Sequence, residues 1–160
     1  MRLQVIAVGR LKDGPERALA ARYAERFEEV SRRLGFRSLT INEIGESRAA
    51  DAAARIAAEA GEIGALIPHP SVVIALDQRG KTLASEDLAK QLGRWRDDGA
   101  AAAVFLIGGP DGLSPDLRRT AGLTLAFGAA TWPHQMVRVM LLEQLYRAAT
   151  ILAGHPYHRA

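Results

Sequence analysis

Short apolar segments alternate with helix-like stretches along the whole chain. The strand-like segments occupy residues 3–8, 38–44, 72–76, 102–107 and 123–127. Between the first two segments, Leu19, Tyr23 and Phe27 recur every four residues, the pattern of a helix with one buried face. Strands separated by helices throughout predict an α/β fold in which a mostly parallel sheet is sandwiched between helices. The length of 160 residues predicts a single domain, residues 1–160.

Capping residues help to place the helix boundaries. The predicted helices cover residues 15–34, 48–66, 85–95 and 115–122, and a last helix follows Pro133. Ser47 and Ser114 are the predicted N-caps of the second and fourth helices, because a serine hydroxyl can accept a hydrogen bond from the first helical turn. Residues 77–81 are predicted to form a polar turn at the end of the third strand.

The segment 131–159 has the most unusual composition of the chain. Its helix is apolar on most sides, which predicts burial either in the core or against another copy of the chain. Glu143 and Arg147 are four residues apart and share one helix face, so we expect an ion pair, and Arg138 lies on a different side. A paired charge in such an apolar helix must be desolvated, and buried pairs of this kind often belong to functional sites.

Composition excludes several classes of site. The chain has no cysteine, which rules out disulfides, thiolate metal sites and cysteine nucleophiles. His134, His155 and His158 lack the spacing of a helical zinc pair and lie among arginines, so no metal site is expected. Residues 1–9 do not resemble a signal peptide, and the longest strongly apolar run, residues 100–107, is too short to span a bilayer. We therefore expect a soluble cytoplasmic protein.

Positive charge is concentrated in the last third of the chain. The formal net charge is +3 and the pI is about 9.7, which permits an anionic partner without demanding one. From residue 113 onward there are five arginines and three histidines but only one aspartate and one glutamate. Arginine suits bidentate phosphate contacts. A general preference for arginine in the source proteome is the alternative explanation.

Three loops at predicted strand ends are candidates for a ligand site, at residues 76–81, 108–112 and 128–133. In open α/β sheets, ligands bind beyond the carboxyl ends of the strands. Gly108 and Gly109 would allow the backbone to approach a ligand closely, although they could also form a simple turn. The stretch 75–82, ALDQRGKT, lacks the first glycine of a phosphate-binding P-loop. A strand-end turn with Asp77 and Arg79 available for polar contacts is the preferred interpretation.

Six motifs in order resemble one known family. They are LDQRGK (76–81), SED (85–87), FLIGGPDGLS (105–114), TWPHQMVR (131–138), EQLYRA (143–148) and HPYHR (155–159). Together they resemble the RlmH family, ribosomal RNA large-subunit methyltransferases of the SPOUT class, over essentially the whole chain. The resemblance implies a C-terminal trefoil knot, a homodimer with the last helix in its interface, and S-adenosylmethionine as cofactor. The implied reaction is methylation of N3 of a pseudouridine in 23S rRNA within the assembled 70S ribosome.

The resemblance also implies which residues of this chain form the sites. The cofactor would contact Leu76, Gly108, Gly109, Phe127, Gly128, Ala129, Ala130, Thr131 and Trp132. The family usually carries serines and a methionine before the last helix, where this chain has Ala126, Gly128 and Ala130, so backbone groups rather than side chains would hold the adenine there. The catalytic residues would be Glu143, Arg147, Tyr157, His158 and Arg159, and the substrate contacts His134 and Arg138.

The expected chemistry is a displacement at the methyl group of a sulfonium, combined with loss of the proton from N3. His158 would assist proton removal, Tyr157 and Arg159 would position the nucleotide across the dimer interface, and Glu143 would orient Arg147. Cations near the base would favour its anionic form. Two alternatives remain open: a non-catalytic ribosome-binding factor, which would not bind the cofactor, and a P-loop-like phosphotransferase that depends on Lys81.

Overall fold

The computed structural model describes residues 1–158, and the sequence order of its elements is the predicted alternation of strands and helices. The strands are β1 (Arg2–Val8), β2 (Leu39–Ile44), β3 (Val72–Thr82), β4 (Ala102–Ile107) and β5 (Leu123–Ala126). The helices are α1 (Pro15–Ser31), α2 (Ala52–Leu66), α3 (Ser85–Asp97), α4 (Pro115–Thr120) and α5 (His134–Leu152), with a short 3-10 turn at Arg32–Leu34. The α/β prediction is confirmed.

The five strands form one parallel sheet in the order β2-β1-β4-β3-β5. Alternate residues of β1, β2, β3 and β4 enter two separate cores, whereas β5 contributes only to one of them. In β4, Phe105 and Ile107 contribute to one core while Val104 and Leu106 contribute to the other. Strands buried on both faces are apolar without interruption, which explains why these segments were recognisable in the sequence. The central strands thus hold the loops at their carboxyl ends on a rigid base.

Helices cover both faces of the sheet. The larger core lies between the sheet and α1, α3 and α5, and the smaller core lies between the sheet and α2 and α4. Leu141, Leu142 and Leu145 of α5 are fully buried, because α5 packs between α1 and α3. The predicted burial of this helix is confirmed, and its own chain supplies most of the cover.

The predicted start of the second helix was wrong. The N-cap of α2 is Asp51, whose carboxylate accepts the N–H of Ala54 at 2.8 Å, and Ser47 instead donates its backbone N–H to Glu59. An aspartate at the N-cap serves the helix as well as a serine does, so the earlier serine could take another role. Apart from the third strand, which is six residues longer than predicted, smaller differences of one to three residues affect the ends of the other helices and strands.

The predicted turn after the third strand is an irregularity within that strand. Leu76 and Lys81 both pair with Leu125 of β5, so residues 77–80 bulge out and the chain then resumes the same ladder. Gly80 makes the return possible, because a Cβ there would lie 2.7 Å from backbone atoms of β5. Since Lys81 is held in a strand, it cannot belong to a phosphate-wrapping loop, and the P-loop alternative was wrong.

Strand order and register do not describe the threading of one loop through another, so the trefoil knot stays a prediction. Within residues 1–158, no helix combines the length and apolar character that a membrane crossing would require. The same residues contain no group of three or more histidine or carboxylate side chains placed to share a metal ion.

Candidate functional site

The three predicted loops converge on one cavity of about 630 Å³ at the bulge of β3 and the carboxyl ends of β4 and β5. This volume is in the usual range for sites that bind small molecules. The residues predicted to contact the cofactor all line the cavity except Ala129, which lies exposed in the same loop. Of the predicted substrate contacts, His134 lines the cavity and Arg138 does not. The convergence is confirmed, while contact with a cofactor stays a prediction.

The loop after β4 forms the floor of the cavity as a compact turn. The N–H of Gly112 donates to the carbonyl of Gly109 at 2.9 Å, and the hydroxyl of Ser114 caps α4 by accepting the N–H of Leu117 at 3.2 Å. Gly108 packs so closely that a Cβ would lie 2.6 Å from the carbonyl carbon of Gly112. Only glycine fits this position without moving the backbone, so the glycine pair is more than a turn signal.

An arginine on α2 holds this turn from outside the cavity. Arg55 donates two hydrogen bonds to Asp111, of 2.7 and 3.1 Å, and a third to the carbonyl of Ala49 at 3.2 Å. The hydrogen bond from Arg55 lowers the pKa of Asp111 below its ordinary value. One turn along the same helix, Glu59 is buried and accepts the N–H of Ser47. The polar face of α2 therefore fixes two loops beside the cavity.

A second ion pair lies in the wall of the cavity. Asp77, in the bulge of β3, accepts a hydrogen bond from Arg118 of α4 at 3.0 Å and one from the N–H of Arg79 at 2.9 Å. Across the opening, the hydroxyl of Thr131 donates to Gln78 at 3.1 Å, which joins two of the three loops. These contacts give the wall fixed charges of both signs. The prediction that Asp77 would be available for polar contacts agrees with this arrangement.

The start of α5 closes the remaining side of the cavity. The indole N–H of Trp132 donates to the carbonyl of Phe127 at 3.1 Å, although the side chain is 44% exposed. Arg138, predicted to contact the substrate, is instead bound within the chain and is 1% exposed. Its guanidinium donates to the carboxylate of Glu43 and, at 2.7 Å, to the carbonyl of Gly9. These bonds tie α5 to the ends of β1 and β2, so Arg138 positions the helix.

A separate cluster, here called the tail cluster, forms around the middle of α5 and the tail that follows it, residues 153–158. Glu143 accepts hydrogen bonds from Nε of Arg147 at 2.9 Å and from the hydroxyl of Tyr157 at 3.1 Å. The predicted ion pair is thus confirmed, and the hydrogen bond to Glu143 raises the pKa of Arg147. The Tyr157 ring packs on Tyr146, with 4.5 Å between ring centroids. Burial raises the pKa of Tyr157 to about 12, and the negative charge of Glu143 adds to this shift.

The tail also contacts the start of α3. Nε2 of His158 lies 2.7 Å from Oε1 of Glu86. Beside it, the hydroxyl of Ser85 donates to Gln144 at 2.8 Å, and Gln144 donates to Glu143 at 2.7 Å. These three hydrogen bonds connect α3, α5 and the tail in one cluster. Arg159, the remaining predicted catalytic residue, lies outside the described residues.

The cavity and the tail cluster occupy different parts of the chain but border each other. Glu143 is six residues beyond Val137, the last cavity-lining residue of α5, which corresponds to about 9 Å along the helix. A smaller cavity of about 420 Å³ lies between the two regions and is lined by Phe127 and Gly128 on one side and by Ser85 and Gln144 on the other. Within one chain, the predicted catalytic residues and the predicted cofactor residues are therefore neighbours and do not form one constellation.

Several residues of the site escaped the sequence analysis. Arg55, Arg118 and Glu86 were given no role in the site, although Glu86 belongs to the SED motif, because each acts through a partner more than 40 positions away. One signal was available for Arg55, which is the lone cation of an alanine-rich helix with Glu59 four residues later. That spacing predicts a shared helix face but not what the face contacts.

Comparisons with known proteins agree on the type of protein. A family described as "Predicted SPOUT methyltransferase" matches residues 1–158. A protein of Bradyrhizobium diazoefficiens named "Ribosomal RNA large subunit methyltransferase H" is 70% identical over 160 residues, which is 100% of both chains. A protein of the same name from Nitrobacter winogradskyi is 65% identical over 159 residues, or 99% of each chain.

Solved structures agree at the level of the fold. A probable methylase family protein from Haemophilus influenzae has a TM-score of 0.51 at 11% identity, covering 99% of this chain and 70% of the other. A probable methyltransferase from Bordetella pertussis also has a TM-score of 0.51, at 16% identity, covering 92% of this chain and 95% of the other. Together with the full-length sequence matches, these findings mean that the chain belongs to the RlmH family of SPOUT methyltransferases, enzymes that use S-adenosylmethionine as the methyl donor.

Proposed function

We propose that this chain methylates ribosomal RNA of the large subunit, at N3 of a pseudouridine in 23S rRNA within the assembled 70S ribosome. We further propose that it acts in the cytoplasm as a homodimer. The observation that carries the proposal is the full-length identity of 70% to a protein named for methylation of large-subunit ribosomal RNA. The basic character of the last third of the chain supports an RNA partner, because phosphate contacts dominate affinity for nucleic acids.

The large cavity suits S-adenosylmethionine, which supplies a methyl group on a positively charged sulfur. Its lining combines apolar side chains such as Leu76 and Phe127 with backbone exposed at Gly108 and Gly128, as an adenine and a ribose require. Asp77 and Arg118 place charges of both signs in the wall, which suits the amino and carboxylate groups of the methionine end. The close packing at Gly108 keeps the floor of the cavity free of a side chain.

The tail cluster suits the proton transfer that methylation of N3 requires. Tyr157, whose pKa burial raises to about 12, is protonated at neutral pH and serves as a hydrogen-bond donor. His158 is then the group that removes the proton, because its imidazole offers a ring nitrogen that can act as a base. Glu143 keeps Arg147 beside the ring of Tyr157, 5.0 Å from its centre. Arg159 would add a further cation near the base.

A homodimer would bring the two regions of the site together. Trp132 and Met136, at the start of α5, are 44% and 36% exposed and rank among the most exposed large apolar side chains of residues 1–158. A second copy that covered them would bury apolar surface beside the cavity. The tail of one protomer would then reach the cavity of its partner. Within one chain, the tail lies beside the cavity and does not enter it.

The experiment is transfer of labelled methyl from S-adenosylmethionine to 70S ribosomes that lack the modification, with free 50S subunits as the comparison. We expect label in 70S particles, and mass mapping should place it at N3 of a pseudouridine. Label at another atom, or equal labelling of free 50S subunits, would overturn the corresponding part of the proposal. Cofactor binding without any transfer would keep the cofactor but overturn the substrate assignment, whereas absence of cofactor binding would favour a non-catalytic ribosome-binding factor.

A further inference from the structure

Glu86 makes a specific contact with the tail. It lies in the first turn of α3, and its Oε1 atom is 2.7 Å from Nε2 of His158, 72 positions later. The N–H at the start of the helix and the hydrogen bond with His158 lower the pKa of Glu86, so the carboxylate is ionised at neutral pH. An ionised carboxylate only accepts hydrogen bonds. The hydrogen between the two groups therefore belongs to Nε2 of His158.

The other ring nitrogen of His158 is in a different situation. Nδ1 is buried and has no hydrogen-bond partner among residues 1–158. A proton on a buried, unpartnered nitrogen would cost free energy, whereas a lone pair there costs less. The contacts thus favour the neutral tautomer with hydrogen on Nε2 and the lone pair on Nδ1. In this tautomer Nδ1 is the nitrogen that can accept a proton.

We propose that Glu86 is a positioning residue for methyl transfer, which fixes the tautomer of His158 so that Nδ1 accepts the proton of the substrate. This inference rests on the proposed function. The N3–H bond breaks and its proton passes to Nδ1, while the N3 electron pair forms the new bond to the methyl carbon. The S–CH₃ bond breaks with its electrons remaining on sulfur. The positive charge of the sulfonium is thus replaced by that of the imidazolium, which the carboxylate of Glu86 stabilises.

A single hydrogen bond joins the ring of His158 to α3, and Nδ1 meets the substrate only when the tail shifts so that this nitrogen leaves its buried position. Glu86 also has a simpler role, because an acidic residue in the first turn stabilises a helix through the macrodipole. Asp87 occupies the next position in the same turn and instead faces Lys90, at 3.6 Å. The two carboxylates allow the two roles to be separated.

The test compares Glu86→Gln with Asp87→Asn, which remove the same charge from the same helical turn. Nitrogen chemical shifts of labelled histidine in the full-length protein, assigned with His158→Gln, report the tautomer. Methyl transfer to unmodified 70S ribosomes gives kcat and the KM for S-adenosylmethionine. Because the amide of glutamine can either accept from Nε2–H or donate to a bare Nε2, we expect Glu86→Gln to reduce the population of the Nε2–H tautomer and to lower kcat by about 10- to 100-fold with unchanged KM. For Asp87→Asn we expect wild-type values.

Other outcomes would overturn the inference. A wild-type kcat for Glu86→Gln would contradict the positioning role. So would nitrogen shifts showing that His158 of the wild-type protein carries its proton on Nδ1. Equal losses of kcat in Glu86→Gln and Asp87→Asn would mean that Glu86 acts only by stabilising the helix. Glu86→Asp keeps the carboxylate and should recover part of kcat, which covers the case in which Glu86→Gln folds poorly. If the wild-type protein transfers no methyl group, the proposed function fails, and the nitrogen shifts still decide whether Glu86 sets the tautomer.

Discussion

The cavity is formed mainly by backbone, whereas the tail cluster is formed by side chains. The cavity is formed largely by backbone at glycine-bearing loops, and charged side chains such as Arg55 hold those loops from outside. In the tail cluster, side chains from α3, α5 and the tail contact each other directly. Glu143 accepts hydrogen bonds from the side chains of Gln144, Arg147 and Tyr157. Backbone provides a fixed shape, whereas ionisable side chains provide charge and exchangeable protons.

This difference separates two kinds of effect. A change in the cavity should alter cofactor affinity, because it changes the shape to which the cofactor binds. A change in the tail cluster should alter the rate of transfer with little effect on cofactor affinity, because it changes groups that act on the substrate. Variants that fail to divide in this way would mean that the two regions are one site.

The largest effect is expected from Gly108→Ala. The new Cβ would lie 2.6 Å from backbone of the same turn, so the floor of the cavity must move. We expect cofactor affinity to fall by about 100-fold, which corresponds to about 3 kcal/mol of overpacking. Calorimetric titration with S-adenosylhomocysteine measures the change. Gly61→Ala in α2, where a Cβ would meet nothing within 4 Å, is the matched control and should leave affinity unchanged. Wild-type affinity for Gly108→Ala would mean that the cofactor binds elsewhere.

A smaller effect, on the rate of methyl transfer rather than on cofactor affinity, is expected from Glu143→Gln. The change removes the charge that holds Arg147 and the hydroxyl of Tyr157 in place. Hydrogen bonds to charged groups contribute about 1.5–3 kcal/mol, so we expect transfer to 70S ribosomes to fall by about 10- to 100-fold. Affinity for S-adenosylhomocysteine should stay within a factor of about two. Glu62→Gln, an exposed change of equal charge on α2, is the control. A parallel loss of cofactor affinity would contradict the separation.

The smallest effect is spectroscopic and concerns Tyr157. Its pKa is raised from 10 to about 12, so between these values the folded chain retains a proton that the unfolded chain releases. The stability that this contributes is fully present below pH 10 and is lost as the pH rises to about 12. Phenolate absorbance should therefore include a component with a midpoint near pH 12, and Tyr157→Phe should remove it. Complete titration of all tyrosines near pH 10 would place Tyr157 in water instead.

Local signals in the sequence were sufficient for most of the fold. Apolar runs such as residues 102–107 identified strands buried on both faces, and the α2 boundary was wrong only because Asp51 replaced Ser47 as the cap. The bulge at residues 77–80 was read as a turn, because the sequence does not reveal that Lys81 rejoins the same ladder. Pairing register depends on the neighbouring strand, which no local pattern specifies.

The candidate site was also predictable only in part. The three loops were marked because ligands gather beyond the carboxyl ends of parallel strands, and they do converge on one cavity. The pairing of Glu143 with Arg147 followed from their spacing of four on one helix. Arg138 was expected at the substrate, yet it is bound to Glu43, 95 positions away. Sequence spacing cannot reveal a partner on another element.

The sequence by itself determined the element types, the parallel arrangement, the burial of α5 and the family, because apolar periodicity and ordered motifs are properties of the chain. Only the tertiary structure decided which charges are paired between different elements. Arg55 with Asp111, Arg118 with Asp77 and His158 with Glu86 join elements whose relative positions depend on how the sheet and helices pack. A hydrogen bond acts over about 3 Å, so distant residues become partners only when packing has brought their elements together.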